Sequence, residues 1–268
     1  MRLDGARGFV LDVDGTLVHR AGEEVHLLPG AVEALARIRA SGRPLALFTN
    51  GSHIPPEGFA AGLRVAGLDV ADDELLTPLS SVRTYLRSHR GSTLLLFGTD
   101  AAREYLVANG LRIADGDGAE EVDAVLVAHT DVVDFPRLER AARAILGGAR
   151  LLTGSFVRAY AGADGPIFSR GAMLTAALAK ATGARPVVVG KPSRAALRTI
   201  VERLGARADE LVVIGDDVEL DIALGRLGGS RTILVRSGIS GAADVAELPE
   251  RRRPDATVES IAHVLGWL

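Results

Sequence analysis

The chain has 268 residues, 47% of them hydrophobic and 24% charged, with a formal net charge of -3, about two domains' worth of ordinary globular sequence. A pI near 6.1, with arginines scattered among acids, leaves no basic footprint for nucleic acid, and no apolar run reaches the ~20 residues of a membrane-spanning helix. Cysteine is absent, which excludes disulfides, thiolate catalysis and cysteine-ligated metals; with no secretory signal ahead of the first apolar run, the expected location is the reducing cytoplasm.

The first element is the run Phe9-Val10-Leu11, closing on Asp12-Val13-Asp14-Gly15-Thr16. It predicts a buried strand that opens into a polar loop. Side chains two apart on a strand share a side, so Asp12 and Asp14 would occupy one small volume at its carboxyl end. Two anions so close are tolerated if a cation lies between them or if one keeps its proton. A calcium loop of the EF-hand type is excluded, because its glycine stands sixth between helices while Gly15 is fourth and follows a strand. A plain Asp-Gly surface turn is the competing reading.

Residues Gly30 to Ala40 set Val32, Leu35 and Ile38 at helical spacing, with Pro29 ahead and Gly42 behind, and predict an amphipathic helix. A second strand, Pro44 to Phe48, stops at Thr49-Asn50-Gly51-Ser52. A right-handed crossover would carry both polar loops to one edge of a parallel sheet, the edge where such sheets bind ligands. Thr49 and Ser52 offer hydroxyls and Gly51 exposes backbone N–H groups, donors suited to an oxyanion such as phosphate. A helix N-cap before Pro55-Pro56 fits the same residues.

From Thr77-Pro78 the pattern predicts a helix to about His89, a strand Thr93 to Phe97, a helix Asp100 to Asn109, an Asp115-Gly-Asp-Gly turn and a strand Asp123 to Ala128. A helix Phe135 to Leu146, the run Arg150 to Thr153 and a helix Gly171 to Thr182 complete a second α/β unit. We read residues 80–184 as a domain inserted between 1–79 and 185–268, the arrangement of a lid.

The run Pro186 to Val189 predicts a strand ending at Gly190-Lys191-Pro192-Ser193. It is not a nucleotide P-loop, because Arg185 stands where the first glycine would be and Pro192 removes an N–H such a loop uses. A helix Ser193 to Leu204 leads to a strand Glu210 to Gly215 ending in Asp216-Asp217, with Asp221 a helical turn further on. The last predicted strand, Thr232 to Val235, ends at Arg236-Ser237-Gly238. Strands alternating with helices define an α/β fold with a Rossmann-like, doubly wound parallel core.

Strand ends would thus bring acids, a hydroxyl, a lysine and further acids to one cleft. Such an all-oxygen ligand set suits Mg²⁺ and disfavours zinc. A cation, Lys191 and Thr49 around an anionic group are what phosphoryl transfer needs, with one aspartate as nucleophile and another as acid and base.

Asp12-Val13-Asp14-Gly15-Thr16, Thr49-Asn50, Lys191 and Gly215-Asp216-Asp217 resemble, in order, the four motifs of the haloacid dehalogenase superfamily of phosphatases. Thr49-Asn50-Gly51-Ser52, Gly190-Lys191-Pro192 and the run Thr232 to Gly238 are similar to the class IIA subgroup of nitrophenylphosphatase, phosphoglycolate phosphatase and ribonucleotide phosphatase types. The resemblance spans residues 9 to about 240.

It implies that Asp12 is nucleophile and Mg²⁺ ligand, and that Asp14 ligates through its backbone carbonyl and serves as general acid, then base. Thr49, Asn50 and Gly51 would bind phosphoryl oxygens, Lys191 would neutralise nucleophile and phosphate, and Asp216 would complete the metal site. Asp217 and Asp221 would orient metal waters from a second layer, unless one of them caps a helix. At Thr153-Gly154-Ser155 the chain departs from relatives that carry Thr-Asn followed by an acid, which leaves discrimination to Ser155, Arg158 or Tyr160. The six histidines are read as surface or structural.

The expected function is Mg²⁺-dependent hydrolysis of a small phosphorylated metabolite of the sugar phosphate, phosphoglycolate or nucleotide monophosphate type through an aspartyl-phosphate, with two copies pairing through the cap. The alternatives are a phosphotransferase or mutase of the same superfamily and a non-catalytic sensor of a phosphorylated ligand. A nicotinamide-binding enzyme is excluded because no G-x-G-x-x-G follows the first strand.

Overall fold

The computed structural model describes residues 2–21, 24–89, 93–114, 121–162 and 165–268; the Asp115-Gly-Asp-Gly turn lies outside them. In chain order the elements are β1 (Gly8–Leu11), β2 (Val18–Ala21), β3 (Glu24–Leu27), α1 (Ala31–Ala40), β4 (Leu45–Phe48), α2 (Pro56–Val65), β5 (Leu75–Leu76), α3 (Pro78–His89), β6 (Thr93–Phe97), α4 (Asp100–Ala108) and β7 (Arg112–Ile113). They continue with β8 (Ala124–Val127), α5 (Phe135–Leu146), β9 (Arg150–Thr153), β10 (Ala159–Gly162), β11 (Gly165–Phe168), α6 (Arg170–Thr182), β12 (Val187–Val188), α7 (Arg194–Leu204), β13 (Leu211–Gly215), α8 (Ala223–Gly228), β14 (Arg231–Val235) and β15 (Ala256–Val258).

The chain divides into two compact units, one of residues 1–49, 56–76 and 191–268 and one of 50–55 and 77–190. The first is built on a six-stranded sheet of order β15-β14-β13-β1-β4-β5, parallel throughout. β1, β4 and β13 are buried along their whole length, as a parallel sheet covered on both faces requires, and so they read in the sequence as unbroken apolar runs. Val10, Phe48, Val213, Ile200 and Leu224 form one continuous core between sheet and helices. From β1 the sheet grows through β4 and β5 on one side and through β13, β14 and β15 on the other. The carboxyl end of β1 is therefore the topological switch point, the natural ligand crevice of an open α/β sheet.

Local signals explain the helix boundaries. Ser193 accepts from the Ala196 amide to start α7, which stops at left-handed Gly205. Gly30 precedes α1 with φ 87°, and a Cβ there would come within 2.5 Å of Ala262 Cα, so glycine is required both for conformation and for the approach of the C-terminal segment.

The second unit has its own five-stranded parallel sheet, order β12-β9-β8-β6-β7, packed through Leu95, Phe97, Val125, Leu151 and Leu174, and an antiparallel hairpin of β10 and β11. One expectation is corrected here. The strand before Lys191 does not join the sheet of the first unit; Val187 and Val188 pair with Leu152 and Thr153 of β9. A short apolar run suits any open parallel edge, and pattern alone does not choose between two sheets. Ser52 Oγ accepts from the His129 amide at 3.0 Å, while Thr99 Oγ1 donates to the His53 carbonyl at 2.7 Å. The segment 50–55 is thereby stitched to the ends of β6 and β8.

The predicted last strand is followed by another, β15, which pairs with β14. It is three residues long and half-buried, too short and too mixed to stand out in the sequence. Among the described residues no helix is long and apolar enough to cross a membrane.

Candidate active site

Asp12 is the first residue beyond β1, and its amide donates to Ile214 O at 2.9 Å, carrying the ladder one residue past the strand. Asp216 stands at the same point beyond neighbouring β13. Two strand ends side by side thus deliver two carboxylates. Lys191 Nζ, 3% exposed, donates to Asp12 Oδ1 and to Asp221 Oδ1, each at 2.6 Å, and lies 5.8 Å from the centroid of the Phe48 ring.

Asp221 belongs to the π-helical turn Val218–Ile222. Its second oxygen accepts from the Asp217 amide at 3.1 Å. Asp217 accepts in turn from the Glu219 and Leu220 amides at 2.7 and 3.3 Å and so caps the turn. The two acids that spacing left equivalent therefore do different things: one holds the lysine, the other starts a helix.

One oxygen each from Asp12, Asp216 and Asp221 lies within 4.8 Å of the others. Asp12 Oδ2 is buried without a hydrogen-bond partner. Backbone is packed tightly around the third acid: Asp216 Oδ2 accepts from the Ile239 amide at 2.7 Å, and a Cβ on Gly238 would come within 1.9 Å of that oxygen. Gly15, at φ 86°, would meet the same oxygen at 2.5 Å. Glycine at both positions lets the chain wrap the carboxylate.

Three buried carboxylates face one ammonium, and the imbalance is visible in their protonation. Burial, with the charge of Asp221 and against the pull of Lys191, raises Asp12 to about 7. Burial and the charge of Asp12 raise Asp216 to about 8, and burial raises Asp221 to about 6 despite Lys191. For Lys191 burial works the other way, but Asp12 and Asp221 outweigh it and hold the ammonium above the usual lysine range. A surplus of buried negative charge, all-oxygen donors and an orphaned carboxylate oxygen together fit a hard divalent cation.

Asp14 is not one of that group of three. Its Oδ1 accepts from Arg20 Nε at 2.5 Å and its Oδ2 from Thr49 Oγ1 at 3.4 Å. Thr49, just past β4, donates its amide to Leu76 O at 3.2 Å. Asn50 and Gly51 fall within the second unit, where Asn50 Oδ1 approaches Gly190 so closely that a Cβ there would sit 2.6 Å away. In the second unit Thr175 Oγ1 bonds Thr153 Oγ1 at 3.1 Å and Thr153 Oγ1 bonds Ser155 O at 2.8 Å, while Ser155 Oγ is buried without a partner. Arg158 precedes β10, and Tyr160 is a backbone member of that strand.

Sequence reasoning missed Arg20 and the neighbours that brace its strand. His19 Nε2 is 2.7 Å from Ser237 O and Ser237 Oγ donates to Gly15 O at 2.7 Å. β2 and β3 are four residues each, and although Glu24–Leu27 alternates polar and apolar, so short a run does not announce a strand by itself.

A family model described as haloacid dehalogenase-like hydrolase matches residues 9–112, and a second, HAD-hydrolase-like, matches 188–264. The chain is 31% identical over 96% of its length to ribonucleotide monophosphatase NagD of Escherichia coli strain K12, covering 98% of that protein. Among solved structures it resembles a p-nitrophenyl phosphatase from Archaeoglobus fulgidus (TM-score 0.86, 28% identity, 98% of this chain and 99% of that one). It also resembles a glycerol phosphate phosphatase from Mycobacterium tuberculosis in complex with magnesium (TM-score 0.85, 26% identity, 98% of this chain and 77% of that one).

The chain belongs to the haloacid dehalogenase-like hydrolase family. Within it, the chain falls in the class IIA group of nitrophenylphosphatase and NagD types, and it is a phosphomonoester hydrolase.

Proposed function

We propose that the protein hydrolyses a small phosphorylated metabolite with Asp12 as nucleophile. The observation that carries this reading is the pairing of Asp12 with Lys191: one carboxylate oxygen is held by the ammonium at 2.6 Å and the other has no partner, as suits a group that must meet an incoming phosphorus atom. A carboxylate oxygen of Asp12 bonds to phosphorus as the ester P–O bond breaks, and Asp14 gives a proton to the departing oxygen. Water then attacks the phosphorus of the aspartyl-phosphate, Asp14 takes its proton, and the bond to Asp12 breaks to release phosphate and restore the carboxylate. Lys191, the Thr49 hydroxyl and the backbone at Asn50 and Gly51 offset charge on the phosphoryl oxygens. Mg²⁺, held by Asp12, Asp216 and the Asp14 carbonyl with Asp221 beside them, would neutralise the excess carboxylate charge and the phosphate; Asp217 supports the site as the cap of the turn that bears Asp221.

The second unit serves in this reading as the lid that selects the leaving group, and pairs two copies of the chain in the cytoplasm. The buried, unpartnered Ser155 Oγ supports a role for that loop, with Arg158 and Tyr160, in recognising a polar substrate. The named relatives act on ribonucleotide, glycerol and nitrophenyl phosphates, and small phosphate esters of that range are the substrates proposed here.

The test is release of inorganic phosphate from a panel of phosphorylated sugars, three-carbon acids and nucleoside monophosphates, with Asp12→Asn beside the parent. The variant is expected to fold and to release no phosphate above background from any ester; turnover retained in it would remove Asp12 as the nucleophile.

A further inference from the structure

Arg20 stands outside every motif discussed above, yet it makes the shortest contact to Asp14. The chain turns tightly from Asp14 into β2: Gly15 N donates to Val18 O at 2.7 Å, and the Leu17 and Val18 amides both donate to Val13 O, at 2.9 and 3.0 Å. β2 then pairs with β3 in antiparallel register, Arg20 opposite Val25. Alternation along the strand sends neighbouring side chains to opposite sides. His19 reaches the Ser237 carbonyl at 2.7 Å, while Arg20 reaches Asp14 Oδ1 at 2.5 Å, its guanidinium carbon 5.9 Å from the centroid of the Phe59 ring. Phe59 is buried on α2. Arg20 is thus braced by a buried aromatic ring and by a strand pinned on its other side.

Asp14 needs that brace. Its side chain is 43% exposed, so packing alone does not select its rotamer. Its second contact, to Thr49 Oγ1 at 3.4 Å, is too long to be a strong hydrogen bond. The guanidinium, planar and with its donors in a rigid fork, fixes the direction of the carboxylate it meets.

We propose that Arg20 is a positioning residue for the reaction, aiming the Asp14 carboxyl group at the leaving-group oxygen. This rests on the acid role proposed for Asp14. An ion pair this exposed adds little to stability, so its consequence is catalytic: misdirecting a general acid matters in proportion to how much the leaving oxygen needs a proton. An alkoxide needs one; p-nitrophenolate leaves without.

The experiment compares kcat/KM, which reads the step that expels the leaving group, for glycerol phosphate and p-nitrophenyl phosphate in the parent, Arg20→Met, Arg20→Lys and Asp14→Asn, with a thermal melt of each. Arg20→Met, which keeps the stem against Phe59 and removes the donors, is expected to lower kcat/KM on glycerol phosphate about 10- to 100-fold and on p-nitrophenyl phosphate by no more than about threefold, at an unchanged melting temperature. Arg20→Lys should recover part of the loss on glycerol phosphate. Equal losses on the two substrates, or none on either, would overturn the inference. Asp14→Asn separates the two layers. If it loses glycerol phosphate selectively while Arg20→Met does not, Arg20 alone is wrongly assigned. If Asp14→Asn shows no selectivity, the acid role falls and the role of Arg20 with it.

Discussion

Lys191 Nζ donates to Asp12 Oδ1 and to Asp221 Oδ1 at 2.6 Å each, so a single ammonium bridges the end of β1 and the π-helical turn after β13. With Asp216 counted, three carboxylates share that one cation in the buried cluster. The site is therefore short of positive charge, and the predictions below follow from that shortage.

Replacing Lys191 by methionine keeps most of the stem and removes the cation. Breaking a buried pair by taking one partner costs about 3–5 kcal/mol, because the other charge is left uncompensated. Lys191→Met is expected to lower the denaturant midpoint in chelator by a corresponding amount, to regain part of it in millimolar Mg²⁺, and to release no phosphate from any substrate. A midpoint equal to that of the parent in chelator would mean that the lysine does not offset the carboxylates.

The pH dependence of the metal-free protein has a definite sign. Asp216 lies near 8 and Asp12 near 7 in the folded state, against 3.8 for an ordinary aspartate. Between about 4 and 8 the folded chain holds protons that the unfolded chain has released, so raising the pH strips them at the expense of the fold. Melting temperature in chelator should fall steadily from pH 5 to pH 8. A divalent cation takes over the role of the protons and should flatten the curve, and Asp216→Asn should flatten it in chelator without metal. A melting curve in chelator that rises over this range would contradict the charge balance described here.

Gly238→Ala places a Cβ where Asp216 Oδ2 now lies, 1.9 Å away. The carboxylate has to move or the loop after β14 has to open, a cost of about 1–3 kcal/mol by analogy with overpacked cores. The expected result is a lower melting temperature, a weaker gain in melting temperature on titrating Mg²⁺, and lower kcat. Normal activity with unchanged Mg²⁺ dependence would show that the glycine is not needed to seat Asp216.

The amino-acid sequence by itself determined the α/β class, the central strands and the acids at their ends. β1, β4 and β13 are buried on both faces, so their apolar runs are continuous, and each run stops where its carboxyl end opens into a polar but still buried site; Asp12, Thr49 and Asp216 stand at those stops. Helix boundaries were legible where a serine cap or a left-handed glycine marks them, as at Ser193 and Gly205. Only the tertiary structure decided that β12 belongs to the sheet of the second unit, that Asp221 takes the lysine while Asp217 caps, that Ser52 serves its own unit's backbone, and that Arg20 reaches Asp14. The physical reason is common to all four. Periodicity reports which side of an element meets the core, a property of neighbours along the chain, whereas an edge strand's partner, a carboxylate's choice between an amide and an ammonium, and the reach of an arginine depend on groups that only folding brings within a few ångströms.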